Sequence, residues 1–308
     1  MSKNHLKSIR STQGNPNPAE SNIFAQEIKK KFNKPEKLYL PCDNLSGKIF
    51  EKNLESGVSY ELSEKNNVQT AFKISNLHEP LTLFDKGVLS VCLSEQAAEN
   101  EFTTIRRIYQ LMGGSHTLTA ELKNSISSSL DKLAQVQIEI DMQESQKLYH
   151  ADEYSFKGSI LPCERLTAKF RGQIVKETIH FLGKSPLQKV AELKKQIITC
   201  DLALLDILNF KNNEFNFRLK FYLLERILFT KGSCDPKRKK RVKKLQPIIL
   251  FDTLFEKLNI PADIDRGKQR DIRNSIKKIM DYFKAQNLIS DWRFEKKFDK
   301  FYSIEFQY

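Results

Sequence analysis

The strongest constraint on the fold is a spacing that occurs twice. Ile272, Ile276, Ile279, Met280 and Phe283 recur at three- and four-residue steps. On a helix those residues fall within about 80° of Ile272, a stripe that must be buried against something. The same steps occur 150 residues earlier, at Leu122, Ile126, Ser129, Leu130 and Leu133. Asn124-Ser125-Ile126 matches Asn274-Ser275-Ile276 residue for residue, Lys123 falls opposite Arg273, and Asp131 falls opposite Asp281. Identity in the same register of the same kind of segment points to a duplicated unit.

The surroundings of the two helices repeat as well. In the first copy "LTLFDKGVLSVCLSEQ", "TTIRRIYQLM" and "LTAELKNSISSSLDKLAQ" have helical spacing, and "VQIEIDM" then alternates like a strand. In the second, "FNFRLKFYLLERILFTK", "IILFDTLFEKLN" and the helix around Ile272 are followed by "LISDWRF" and "FYSIEF", joined by the charged tip "EKKFDK". Three helices and then strands is the order of a winged helix. Between the copies, "RLTAKFRGQIVKETIHF" has the pattern of a hairpin turning at Arg171-Gly172. "SPLQKVAELKKQ" starts a helix, with Ser185 as N-cap, Pro186 at the first position and Gln188 in the capping-box place. The expected fold is therefore α+β: two tandem winged-helix domains joined by a β-hairpin and helix connector. The expected boundaries are a flexible N-terminal arm over 1–36, a first domain with a β-rich lead over 37–160, the connector over 161–212 and a second domain over 213–308.

Charge divides the copies. The chain carries +13, but residues 231–308 hold 20 Lys+Arg against 11 Asp+Glu, and the remaining 230 residues only 31 against 27. On the second repeated helix Arg266, Arg270, Arg273, Lys277 and Lys284 gather into one strip between about 100° and 160° from Ile272. Solvated helices usually mix signs to gain i,i+4 pairs, so a one-signed strip asks for a polyanion. Arginine can grip guanine through two donors and asparagine can read adenine. Arg270, Arg273 and Asn274 are thus the base-reading candidates, Lys277 is a phosphate contact, and Arg266 is a further DNA-binding cation of the strip. A basic face that is merely solvated is the alternative for such a run. The first copy is expected to expose Lys123, Asn124, Ser127 and Lys132, few of them cations, suited to base reading through short polar groups or to a protein interface.

Two flanking segments add cations. "DPKRKKRVKK" holds seven in ten residues, among them Lys237, Arg238, Lys239, Lys240 and Arg241, and suits phosphates or a minor groove. The hairpin tip adds Arg293, Lys296, Lys297 and Lys300. Trp292, the only tryptophan, is expected to pack between wing and core.

Catalytic patterns are missing from the sequence. It has no GxxxxGK[ST], no HxH and no HExxH, and its five histidines are scattered. Its five cysteines show no metal-ligand spacing and are expected to be reduced thiols. The "DID" at Asp263–Asp265 has the form of a metal-binding pair, but loop aspartates before a helix are ordinary caps. No enzyme activity, metal or cofactor is expected. Nor is a membrane partner: no apolar run approaches a membrane span, and the N-terminus lacks a signal-peptide core, which points to the cytoplasm.

Tandem winged helices with a more basic second copy, together with "FKGSILPCERLTAKFRGQ" and "YLLERILFTKGS", resemble the replication initiators of theta-replicating bacterial plasmids and mobile elements. The resemblance covers roughly residues 80–308. It implies binding to repeated sites at an origin, melting of adjacent AT-rich DNA and recruitment of the host replicative helicase machinery. It also implies a homodimer formed through the first domain. The basic run at Lys237–Lys244 is not a general feature of that family. A winged-helix transcriptional regulator and a protein-interaction scaffold are the competing readings.

Overall fold

The computed structural model describes residues 32–41, 44–50, 54–63, 69–115, 117–142, 155–170, 173–233, 245–261, 263–298 and 300–308. The chain divides into two units, Met1–Asn33 and Lys34–Tyr308, and the helices and strands among the described residues lie in the second.

The centre of the first half is α2 (Leu83–Ala97), which follows β1 (Lys37–Pro41), α1 (Asn44–Ile49), β2 (Ser59–Ser63) and β3 (Gln69–Ser75). Helix α2 is buried from Phe84 to Glu95 on every face, so its charged residues need partners inside the protein. Asp85 closes a capping box with Thr82, accepts from the Ser129 hydroxyl at 2.6 Å and pairs with Lys132 at 2.9 Å. Ser129 and Lys132 lie on α4 (Ala120–Gln135), so one carboxylate fixes the start of α2 against the repeated helix. Glu95, at the other end, binds Arg107, Asn100 and Thr103 around β4 (Phe102–Thr103) and α3 (Ile105–Leu111).

The two repeated helices bury the residues their spacing selects. Helix α4 buries Leu122, Ile126, Ser129, Leu130 and Leu133. Its counterpart α8 (Arg266–Ala285) buries Ile272, Ile276, Ile279, Met280 and Phe283. The strands after α4 depart from the sequence expectation. "VQIEIDM" forms β5 (Gln137–Met142), but with β6 (Ser155–Ser159) it joins a sheet of order β2-β3-β5-β6. The hairpin expected as a connector, β7 (Cys163–Phe170) and β8 (Gln173–Phe181), pairs instead with β4 of the first half, in the order β4-β8-β7.

The second half repeats that order. It contains α6 (Glu214–Ser233), β10 (Ile248–Leu250), α7 (Phe251–Leu258), α8, β11 (Asp291–Lys297) and β12 (Lys300–Gln307), and its sheet runs β10-β12-β11. The stretch expected as a single helix from Ile248 thus begins as a strand, because Ile248–Leu250 pairs with Ser303–Glu305 of β12. Both hairpins carry a register shift just before their turns, between Ala168 and Lys169 and between Glu295 and Lys296. The first copy therefore differs by an inserted strand pair, β5 and β6, between its third helix and its hairpin.

Between the copies, α5 (Pro186–Leu193) starts at the Ser185 cap and Pro186 as expected. Gln188 donates to Glu192 at 3.0 Å and so turns along the helix rather than back to the cap. The strand β9 (Ile197–Asp201) then pairs antiparallel with β1, and a 3-10 turn, Leu202–Leu205, leads on.

Helix α6 locks the halves together. Its Phe221 ring lies against Gly87 of α2, where an added Cβ would approach the ring to 3.0 Å. Glu225 pairs with Lys86, and Phe217 sits 6.4 Å from Phe84. Lys220 is wholly buried and donates to the carbonyls of Met112 at 2.7 Å and Leu205 at 2.6 Å. Burial pushes its amine down to about 7, because the interior penalises the charged form.

Candidate nucleic-acid interface

Asp265 caps α8 by accepting from the Lys268 backbone N–H at 2.9 Å, and that bond holds its carboxyl below the usual range. The residue is a cap, the ordinary role for a loop aspartate in this position. From there the helix presents Arg266, Arg270, Asn274 and Lys277 to solvent. Lys268 is also exposed in the first turn, with its ammonium 4.0 Å from the Asp265 carboxylate. Lys277 pairs with Asp281 at 2.7 Å, both side chains well exposed, so the lysine can exchange that partner for a phosphate at little loss.

Arg273 is half-buried, and its guanidinium lies 4.4 Å from the centroid of the Phe301 ring on β12. Stacking on an aromatic face orients the planar fork and lowers the entropy lost when it binds. Lys296 sits over the same ring at 5.0 Å, and Lys297 lies 5.4 Å from the Tyr302 ring and 5.9 Å from that of Phe298. The helix strip and the hairpin cations are thus joined by aromatic rings. Phe298, Phe301 and Tyr302 escaped the sequence reading. The signal was present in "FDKFY", where aromatic residues interleave with cations at a hairpin tip.

Other candidates fall differently. Arg293 is occupied by Glu305 at 2.9 Å and Glu295 at 2.5 Å, which raises its pKa and ties it to the strand pair rather than to the tip. Trp292 donates to Asp281 at 3.0 Å and meets Phe294 edge-on, so it anchors β11 to α8 as expected. Lys237, Arg238, Lys239, Lys240 and Arg241 lie outside the described residues.

On the first copy Lys123 and Asn124 are exposed, but Ser127 is engaged. Its hydroxyl accepts from Arg165 of β7 at 2.7 Å, and Arg165 also pairs with Asp131 at 2.9 Å and Glu177 at 2.9 Å. Ser127 is therefore a support for the hairpin, not a free reader. Ser125 similarly bonds Glu214 of α6 at 3.1 Å. The strip on α4 is short, neutral and partly covered where that on α8 is long, basic and open.

Among the described residues the cysteines are chemically quiet. Cys92, Cys163 and Cys200 are free thiols, and burial pushes all three up, Cys163 to about 11 and Cys200 to about 12. Cys42 and Cys234 lie outside the described residues. Among the described residues no helix is long and apolar enough to cross a membrane.

No family model matches the chain, and no curated protein matches it. Among solved structures, selenomethionine domains 2 and 3 of RctB superpose with a TM-score of 0.41 at 13% identity, over 83% of this chain and 92% of that one. A second structure of RctB domains 2-3 gives 0.40 at 12% identity, over 82% and 92%. A likeness this slight assigns neither family nor function.

Proposed function

We propose that the chain is a sequence-specific, double-stranded DNA-binding replication initiator built from two tandem winged-helix domains. In the second, α8 enters the major groove and the β11–β12 hairpin is the wing. Arg270, Arg273 and Asn274 read base edges, while Arg266, Lys277, Lys296 and Lys297 hold phosphates. The observation that carries this reading is the cation strip on α8, with Arg266 and Arg270 exposed and Lys277 and Lys284 held only by exposed aspartates, beside a hairpin whose cations lie on the same aromatic cluster as Arg273.

The first copy supports a different task. Its recognition-position helix is nearly neutral and its Ser127 is tied to Arg165. It makes weaker DNA contacts and supplies the homodimer contact, while the assembled complex recruits the host replicative helicase machinery in the cytoplasm. Binding to repeated sites at a plasmid or mobile-element origin is what the family resemblance implies, and linkage of two unequal modules on one chain would strengthen such binding.

The test has two stages. Binding of the full chain to duplex DNA is measured across a salt series. Log affinity should fall linearly with log salt, by about 0.9 per phosphate neutralised. Affinity insensitive to salt would remove the DNA reading. A plasmid carrying only this gene and its flanking repeats should then be maintained in a host. Binding without maintenance would leave a transcriptional regulator.

A further inference from the structure

Phe298 occupies the turn between Lys297 and Lys300 and is 90% exposed. Its φ is +49°, in the left-handed region where a bulky side chain is disfavoured and Gly, Asn or Asp is usual in a tight hairpin turn. Folding thus gains nothing from this residue: the backbone is strained and the ring stays in water. Strain that the fold does not need is a pointer to a binding role. The corresponding turn of the first hairpin is Arg171-Gly172 in sequence, with Phe170 one position before it, so only the second copy sets an aromatic within the turn itself.

Its surroundings say what it binds. Lys297 stands between the Phe298 and Tyr302 rings, and Tyr302 is itself 45% exposed. Lys296 leads back through Phe301 to Arg273. An apolar ring flanked by ammonium groups matches a ligand made of π-faces set between phosphates. A protein core offers no such charge, and a purely electrostatic contact needs no ring.

We infer that Phe298 is a wedge that enters the base stack of duplex DNA beside the groove occupied by α8, unstacking one base step while Lys296 and Lys297 hold the adjoining phosphates. Aromatic and aliphatic side chains wedged between base pairs pry steps apart in this way. Tyr302 is placed to cover an exposed base face by stacking. The inference rests on the duplex-binding reading and adds a local opening of the helix to it.

The experiment uses the full chain on duplexes carrying 2-aminopurine at successive positions through and beside the protected region, since this base brightens when unstacked. Wild type should brighten one step, at the border of the footprint, several-fold. Phe298→Ala should bind the same duplexes within a few-fold and give no brightening, while Phe298→Trp should retain it. Phe298→Asn, which suits the left-handed turn, should melt a few degrees higher than wild type and also lose the brightening. Protection without brightening in wild type, or brightening that survives Phe298→Ala, overturns the wedge and leaves duplex binding intact. Failure of wild type to protect any duplex overturns the binding reading and the wedge with it.

Discussion

The guanidinium of Arg273 lies over the ring of Phe301, 4.4 Å from its centroid, so a residue of α8 is held by a residue of the hairpin. The helix sets the depth of Arg273 and the hairpin sets its direction. Reading a base through two parallel hydrogen bonds depends on both.

Arg273→Ala should therefore weaken binding to a specific site by about 1–3 kcal/mol and relax the preference at one base position. Phe301→Leu keeps apolar volume but removes the stacking face, and should lose part of the same preference while retaining the arginine. Affinity measured on the site and on single-base variants of it decides the matter. An equal loss on random DNA would make Arg273 a phosphate contact.

Lys296 and Lys297 lie on the hairpin, and the proposed function gives them the phosphate backbone. Replacing both with alanine should weaken specific and random duplexes alike and make the salt slope shallower by about 1–2. A loss confined to the specific site would place a base contact on the hairpin.

Lys220 makes stability depend on pH in a known direction. Its folded pKa is pushed down to about 7 from an ordinary 10.5, so between those values the unfolded chain binds more protons than the folded one. Stability should consequently rise with pH across that window, by up to about 1.4 kcal/mol per pH unit from this group. A neutral amine has two hydrogens, and the carbonyls of Met112 and Leu205 accept them. Lys220→Met should be destabilised by about 1–3 kcal/mol through those orphaned carbonyls and should lose the alkaline rise. Denaturant melts of the two proteins at several pH values, compared as a difference, give the answer; a difference independent of pH would mean that Lys220 is not the titrating group.

Gly113 and Gly57 separate backbone strain from steric clash. Both have left-handed φ, +83° and +85°. A Cβ on Gly113 would fall 1.8 Å from the Leu205 carbonyl oxygen, whereas one on Gly57 meets nothing within 4 Å. Gly57→Ala should lose about 1–2 kcal/mol from the left-handed backbone alone. Gly113→Ala should lose more than about 4 kcal/mol, since the turn after α3 must move away from the 3-10 turn. Similar midpoints in thermal or denaturant melts would show that the turn yields easily.

The sequence by itself determined both repeated helices, down to the five buried positions of each, because a helix touches its own neighbours at fixed spacing and its buried face is written in that period. It determined the caps at Ser185 and Asp265 for the same reason: a cap bonds an N–H two or three residues away. It also showed the cation strip on α8. Strand partnership was decided only by tertiary structure. Gln137–Met142 alternates as well as any wing strand and follows its helix directly, yet its hydrogen bonds go to β3 and β6. The hairpin that completes the first copy lies beyond an insertion, and pairing with β4 over that distance leaves no mark in local period. Ser127 looked open on the wheel and is closed by Arg165, 38 residues away. The same holds for Phe301, whose ring supports Arg273 across two elements: a stacking contact depends on where two backbones meet in space, and no spacing along one of them encodes it.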